Sequence, residues 1–320
     1  METLYSSRRN FLQYFSALAA APLARAASQA PPAPDVHFPT EPRARLAVTS
    51  YPFREYIQSP TNKAFNPEAK SNDVKSIDLK DFARMVVDRF GVHNINPLAS
   101  HFGSTNKRYL DEFQQAVAKA DSHLVGLGLG GGKFYDPDAS VRSAAVDSSR
   151  KWIDIASVLG SPSVRQHVSG VHGLKPDVAL ASESLGALSE YGSKRGVIVN
   201  LENDNPVAED PFFLVDVIER VKSPWLRALP DFGNSLLAHD HEYNRRALTK
   251  MFQHAYSMSH VKDSVLAEDG KVSTVDLAAI FGIAKAAGYR GYFSMECETG
   301  LSGPFAGTEK LVQESLKYLK

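Results

Sequence analysis

The 320-residue chain has a single cysteine, Cys297, so it can form no internal disulfide. It carries no excess charge of either sign: 36 Lys+Arg balance 36 Asp+Glu. Nucleic-acid binders usually show a basic surplus, because phosphate contacts need cations, so this balance argues against a nucleic-acid partner. No apolar run approaches the ~20 residues of a membrane span. Glycine (21) and proline (18) are too sparse for collagen or bulk disorder. What is left, 43% hydrophobic and 22% charged, is a globular composition with room for one large domain or two ordinary ones.

The first residues read as an address. Arg8-Arg9 precede Phe11-Leu12, a mild Ala-rich apolar stretch runs from Tyr14 to Ala24, and Ala24-Arg25-Ala26 has the small-x-small form of a cleavage site. Paired arginines before such a stretch resemble a twin-arginine export signal over residues 1–26, which makes the translocation machinery a partner and the periplasm the destination. No cysteine lies near residue 26 to carry a lipid, so a stable membrane anchor is not expected. Residues 27–43 are a Pro/Ala-rich linker, set outside the fold.

From residue 44 to 320 the chain alternates. Short apolar segments at 46–51, 91–96, 123–129, 163–168, 197–202, 226–231, 256–261 and 291–296 read as strands. Amphipathic stretches at 77–90, 108–120, 139–159, 177–194, 209–221, 242–254, 274–287 and 308–319 read as helices. Each helix supplies the crossover that parallel strands require. Eight such units predict a single (β/α)8 TIM barrel, an α/β fold. The rival is a doubly wound sheet, which announces itself by a glycine loop after its first strand. Here the first strand runs into Tyr51-Pro52-Phe53-Arg54, and the glycine run Gly126–Gly132 follows the third strand, as expected of a flexible loop at the barrel mouth.

A barrel places its chemistry at the C-terminal strand ends. Four consecutive units end in ligand-type side chains: Glu202, Asp231, His260 and Glu296, at intervals of 29, 29 and 36 residues. Three carboxylates and an imidazole meeting at one point would repel, and a divalent cation resolves this. Oxygen-rich ligation with one nitrogen suits Mn²⁺ first, with Mg²⁺, Co²⁺ or Zn²⁺ as alternatives. Glu298 shares strand parity with Glu296 and is the alternative fourth ligand. By the same parity Arg165 and His167 face one side of the fourth strand, and Lys262 faces with His260. These three, with His101 after the second strand, are candidate substrate contacts, and Asn234 and Asp263 are candidates for orienting the ligands.

In Leu201-Glu202-Asn203, Asp231-Phe232-Gly233-Asn234, His260-Val261-Lys262-Asp263 and Gly291–Glu296, with Gly160–Arg165 running on to His167, the chain resembles the xylose-isomerase-like TIM barrels. That family includes sugar isomerases, ketose 3-epimerases, inosose dehydratases and AP endonucleases. The resemblance spans about residues 44–319 and implies that Glu202, Asp231, His260 and Glu296 hold the metal. In its epimerase branch it implies that Glu202 and Glu296 are also the acid–base pair. The endonuclease branch has a histidine where this chain has Asn234, and an Asp-x-His motif that is missing after His260.

Such a site predicts a metal-dependent isomerase or epimerase that removes a proton beside a carbonyl through an enediolate. The export signal points to a non-phosphorylated sugar or glycoside derivative. Loss of a β-oxygen from the same intermediate would instead make a lyase or hydratase acting on 3-keto-glycosides. A non-catalytic sugar-binding barrel is the rival of another class. A homo-oligomer is left open.

Overall fold

The computed structural model describes residues 32–69 and 76–320; the export signal expected over 1–26 lies outside them. Eleven strands are described. They are β1 (Leu46–Thr49), β2 (Asn94–Asn96), β3 (His123–Leu124), β4 (Leu127–Gly132), β5 (Ser163–Val168), β6 (Ile198–Glu202), β7 (Leu226–Leu229), β8 (Met258–Val261), β9 (Ser264–Leu266), β10 (Val272–Thr274) and β11 (Tyr292–Met295). Nine α-helices are described. They are α1 (Leu79–Phe90), α2 (Lys107–Lys119), α3 (Ala139–Val158), α4 (Val178–Arg195), α5 (Pro211–Val221), α6 (His241–Phe252), α7 (Leu277–Ala286), α8 (Thr299–Ser302) and α9 (Pro304–Tyr318).

The barrel strands are all parallel. One run of pairings is β3-β2-β1-β11-β8 and the other is β4-β5-β6-β7. The seams are closed by parallel bridges, Leu98 to Gly128 on one side, and Ala228 to Ala255 and Asp231 to His260 on the other. With β3 and β4 as two pieces of one stave, this is the eight-stranded barrel. β9 and β10 form an antiparallel hairpin outside it, between β8 and α7. That hairpin occupies chain expected to lead directly into the seventh helix, which therefore starts at Leu277.

The local chemistry explains the helices. Asp78, Asn106, Asp138, Asp177, Asp210, Asp240 and Asp276 each accept a backbone N–H from the first turn of the helix they precede. Each cap satisfies a donor that the helix start leaves free, and the six aspartates also set an acidic group at the positive end of their helices. In α1 the residues Leu79, Phe82, Ala83, Val86 and Phe90 are buried, the three-and-four spacing of a face laid on the sheet.

Alternation along the strands sorts the interior. Leu46 and Val48 join the large core between sheet and helices, while Ala47 joins Val125, Leu229 and Met258 in a small separate cluster inside the barrel. Part of the stretch read as a linker packs on the barrel. The Trp225 indole N–H donates to the Pro32 carbonyl (2.7 Å), and the Tyr256 hydroxyl donates to that of Pro34 (2.9 Å). The Phe38 ring meets Tyr256 and Tyr292 edge-on at 5.2 and 5.6 Å. Proline keeps this segment extended without needing sheet partners, and its aromatic residue supplies the contact.

One expectation is corrected. The glycine run is not a loop: Leu127–Gly132 is a strand, bulged where its pairing with β5 shifts between Gly128 and Gly131. At Gly128 a Cβ would stand 2.5 Å from a Leu98 methyl and 2.6 Å from the Arg165 guanidinium, so a side chain there would have to displace them.

Candidate metal centre

Glu202 closes β6, Asp231 follows β7, His260 lies in β8 and Glu296 follows β11. All four are buried, and each offers one ligand atom within 4.8 Å of the others. His260 Nδ1 is 2.5 Å from Glu202 Oε1 and 3.3 Å from Glu296 Oε2. Glu298 stands apart from this cluster. Its carboxylate caps α8, accepting the Gly300 N–H at 3.2 Å.

Two cations meet the carboxylates. Arg165 Nη1 donates to Glu202 Oε2 at 2.7 Å. Lys262 Nζ lies 3.1 Å from Glu296 Oε1, 3.4 Å from Asp231 Oδ2 and 2.6 Å from Asn234 Oδ1. Burial alone would raise the Glu202 pKa, but His260 and Arg165 outweigh it and hold the carboxylate well below its usual range. Burial would lower His260, but Glu202 and Glu296 outweigh it and hold the imidazole above its ordinary value. Asp231 goes the other way: burial pushes it up to about 6, against the pull of Lys262.

Asp231 is positioned from behind. Its Oδ1 accepts the N–H groups of Gly233 (2.9 Å) and Asn234 (2.8 Å), and its own N–H donates to Asn203 Oδ1 (2.8 Å). Its Oδ2 is buried with no hydrogen-bond donor. The Lys262 ammonium lies 3.4 Å from it without making a hydrogen bond, which leaves the oxygen able to ligate a metal ion as well. The donor set, three carboxylates and an imidazole converging on one point, fits a divalent ion that prefers oxygen ligands.

Asn96, at the end of β2, was not singled out in the sequence. Its amide nitrogen lies 2.9 Å from His260 Nε2, while its buried Oδ1 has no partner. Turning the amide over would let Oδ1 accept from Nε2–H, satisfying both groups and freeing Nδ1 for a metal. Glu209 was also missed, since it was read as the first residue of a helix. Its buried carboxylate accepts the Val168 N–H (2.7 Å) and the Asn205 N–H (3.1 Å), and it bonds His167 Nδ1 (2.8 Å). This turns the other His167 nitrogen toward Arg165, with which it makes a short contact. His167, Asp204 and Glu209 form a second, more exposed acidic group beside the first.

A cavity of about 240 Å³ opens over the cluster, lined by Arg165, His167, Glu202, Asp204, Lys262 and Glu296 together with Tyr51 and, from β4, Gly128 and Gly130. Other expected residues lie elsewhere. His101 is buried, bonded through Nδ1 to Ser50 Oγ at 2.8 Å, and is not on the cavity wall. Asn234 does touch the cluster, through Asp231 and Lys262. Asp263 faces away and pairs with Lys310 of α9 at 2.7 Å.

The family described as Xylose isomerase-like TIM barrel matches residues 87–320. Solved structures share the fold at low identity. A xylose isomerase-like TIM barrel protein from Mycobacterium smegmatis, in complex with magnesium, is 17% identical with a TM-score of 0.62, over 86% of this chain and 98% of that one. A D-psicose 3-epimerase with D-tagatose, from Clostridium cellulolyticum H10, is 13% identical (TM-score 0.60; 86% and 96% covered). A 3-keto-D-glucoside 4-epimerase from E. coli is 15% identical (TM-score 0.60; 86% and 98% covered). No curated protein sequence matches.

Proposed function

Because the chain belongs to the xylose isomerase-like TIM barrel family, we propose that it is a divalent-metal-dependent isomerase or epimerase of a non-phosphorylated sugar or glycoside derivative. The observation that carries this reading is the convergence of Glu202, Asp231, His260 and Glu296 beneath an open cavity. These four would hold the ion, with Mn²⁺ the first expectation. When bound, it would polarise a substrate carbonyl and acidify the neighbouring C–H.

The chain's own groups then move the proton. Glu202, a carboxylate beside Arg165 and His260 on the cavity wall, is the group that would accept the proton. Glu296 comes from β11, three barrel strands away, and reaches the cavity from another side. A base on one face and an acid on the other turn an enediolate into the epimer; return of the proton to the adjacent carbon interconverts aldose and ketose. The Lys262 ammonium, beside Glu296 and on the cavity wall, would balance charge on the enediolate oxygens.

Both basic side chains on the wall, Arg165 and Lys262, are already paired with carboxylates, which favours a substrate without a phosphate. The export reading of residues 1–26 agrees, since sugar phosphates belong to the cytoplasm. A lyase reading draws on Asp204, an additional acid on the same wall that could protonate a departing glycosidic oxygen.

The experiment is proton exchange. Mn²⁺-loaded protein is incubated in D₂O with free sugars and 3-keto-glycosides and followed by ¹H NMR. One carbon-bound proton should exchange, and exchange should stop on chelation and in Glu296→Gln. No exchange with any compound would leave only a binding barrel.

A further inference from the structure

We infer that the cavity over the cluster is one half of a two-ring groove, whose other half receives a neutral ring attached to the reacting sugar. The inference rests on the sugar reading above and narrows it to glycosides.

A second cavity of about 260 Å³ adjoins the first, and the two share Ser100, Leu129 and Gly130. Its far wall is built from α3 by Ala145, Ser148, Ser149 and Trp152, and no lining residue is ionisable. The Trp152 ring sits edge-to-face on Phe102 at 5.5 Å, and Phe102 packs on Phe113 at 5.0 Å, so the indole is anchored before any ligand arrives. An aromatic side chain with hydroxyls beside it suits the C–H face of a pyranose or an aryl ring. A phosphate would find no cation there.

Gly130 is the telling residue. At the other glycines of this run, Gly126, Gly128, Gly131 and Gly132, a Cβ would stand 2.1–2.8 Å from a neighbouring side chain, so crowding disfavours one there. At Gly130 a Cβ would meet nothing within 4 Å, and its φ lies outside the left-handed region. Neither crowding nor backbone geometry therefore demands a glycine. What its missing side chain leaves open is the wall the two cavities share. A ligand spanning both would pass over it.

The chain has two tryptophans, and the other, Trp225, is bonded to Pro32 away from the groove, so Trp225→Phe leaves Trp152 as sole emitter. The metal-loaded Trp225→Phe protein is titrated with D-glucose, D-galactose, their methyl and phenyl α- and β-glycosides, maltose and cellobiose. Calorimetry and fluorescence are both read. Expected is at least tenfold tighter binding of a phenyl glycoside or a disaccharide than of the matching methyl glycoside, with a shift in Trp152 emission. Preference for phenyl identifies an aryl partner ring, and preference for the disaccharides a second sugar. Gly130→Val, which fills open space and should fold, is expected to abolish that preference. Equal binding of methyl and larger glycosides, or a preference that survives Gly130→Val, would overturn the second half of the groove while leaving the metal-site reading intact. If nothing binds and no proton exchanges, the sugar reading fails and this inference with it.

Discussion

His101 offers a quantitative test of how the barrel uses its histidines. The ring is 1% exposed, and burial, aided by Arg54, pushes its pKa down to about 4 from the ordinary 6.5. As pH falls through 6.5, the unfolded chain takes up a proton that the folded chain refuses until about pH 4. Folding stability is therefore whole above pH 6.5 and declines between there and pH 4. At ~1.36 kcal/mol per pH unit, the loss comes to about 3 kcal/mol. His101→Gln has no proton to take up. Urea unfolding of both proteins at intervals from pH 7.5 to 4 isolates this contribution, since the other carboxylates and imidazoles are common to both. The wild-type curve should fall more steeply, by that amount. Parallel curves would mean that His101 protonates as readily folded as unfolded, and that it is no buried partner of Ser50.

Further expectations follow from single contacts. Gly128→Ala drives a methyl into Leu98 and Arg165, and should cost ~1–3 kcal/mol in urea unfolding; an unchanged midpoint would show slack in the barrel wall. Asn96→Leu removes the partner of His260 Nε2 and should weaken Mn²⁺ affinity ~10–100-fold by calorimetry, with wild-type affinity refuting the positioning role. Phe38→Ala deletes the half-buried ring on Tyr256 and Tyr292. It should cost ~1–2 kcal/mol of stability, and no loss would make the N-terminal segment dispensable to the fold.

The barrel was legible because its strands end in punctuation that a sequence displays: a buried run, then a polar ligand-type residue, then an Asp or Asn opening the next helix. Glu202, Asp231, His260 and Glu296 share one side because side chains alternate along a strand, and parity can be counted. Only coordinates separate Glu296, which lies in the cluster, from Glu298, because both have that parity and the turn into α8 sends Glu298 to a helix cap. The glycine run misled for a physical reason. Glycine signals a loop when only the backbone is considered, but in β4 most of it is there to admit Arg165 and other neighbours. Asn96 and Glu209 act on the site through other side chains, and nothing local in the sequence marks such partners. The packing of residues 32–38 depends on Trp225, Tyr256 and Tyr292, nearly two hundred residues or more away in the chain.

The metal itself decides most. Protein reconstituted with Mn²⁺ and freed of excess is analysed by elemental mass spectrometry as wild type, Asp231→Ala and Glu298→Ala. One ion per chain is predicted for the wild type and for Glu298→Ala, and a small fraction of that for Asp231→Ala. Equal metal in wild type and Asp231→Ala, or loss of metal in Glu298→Ala alone, would contradict the centre described above.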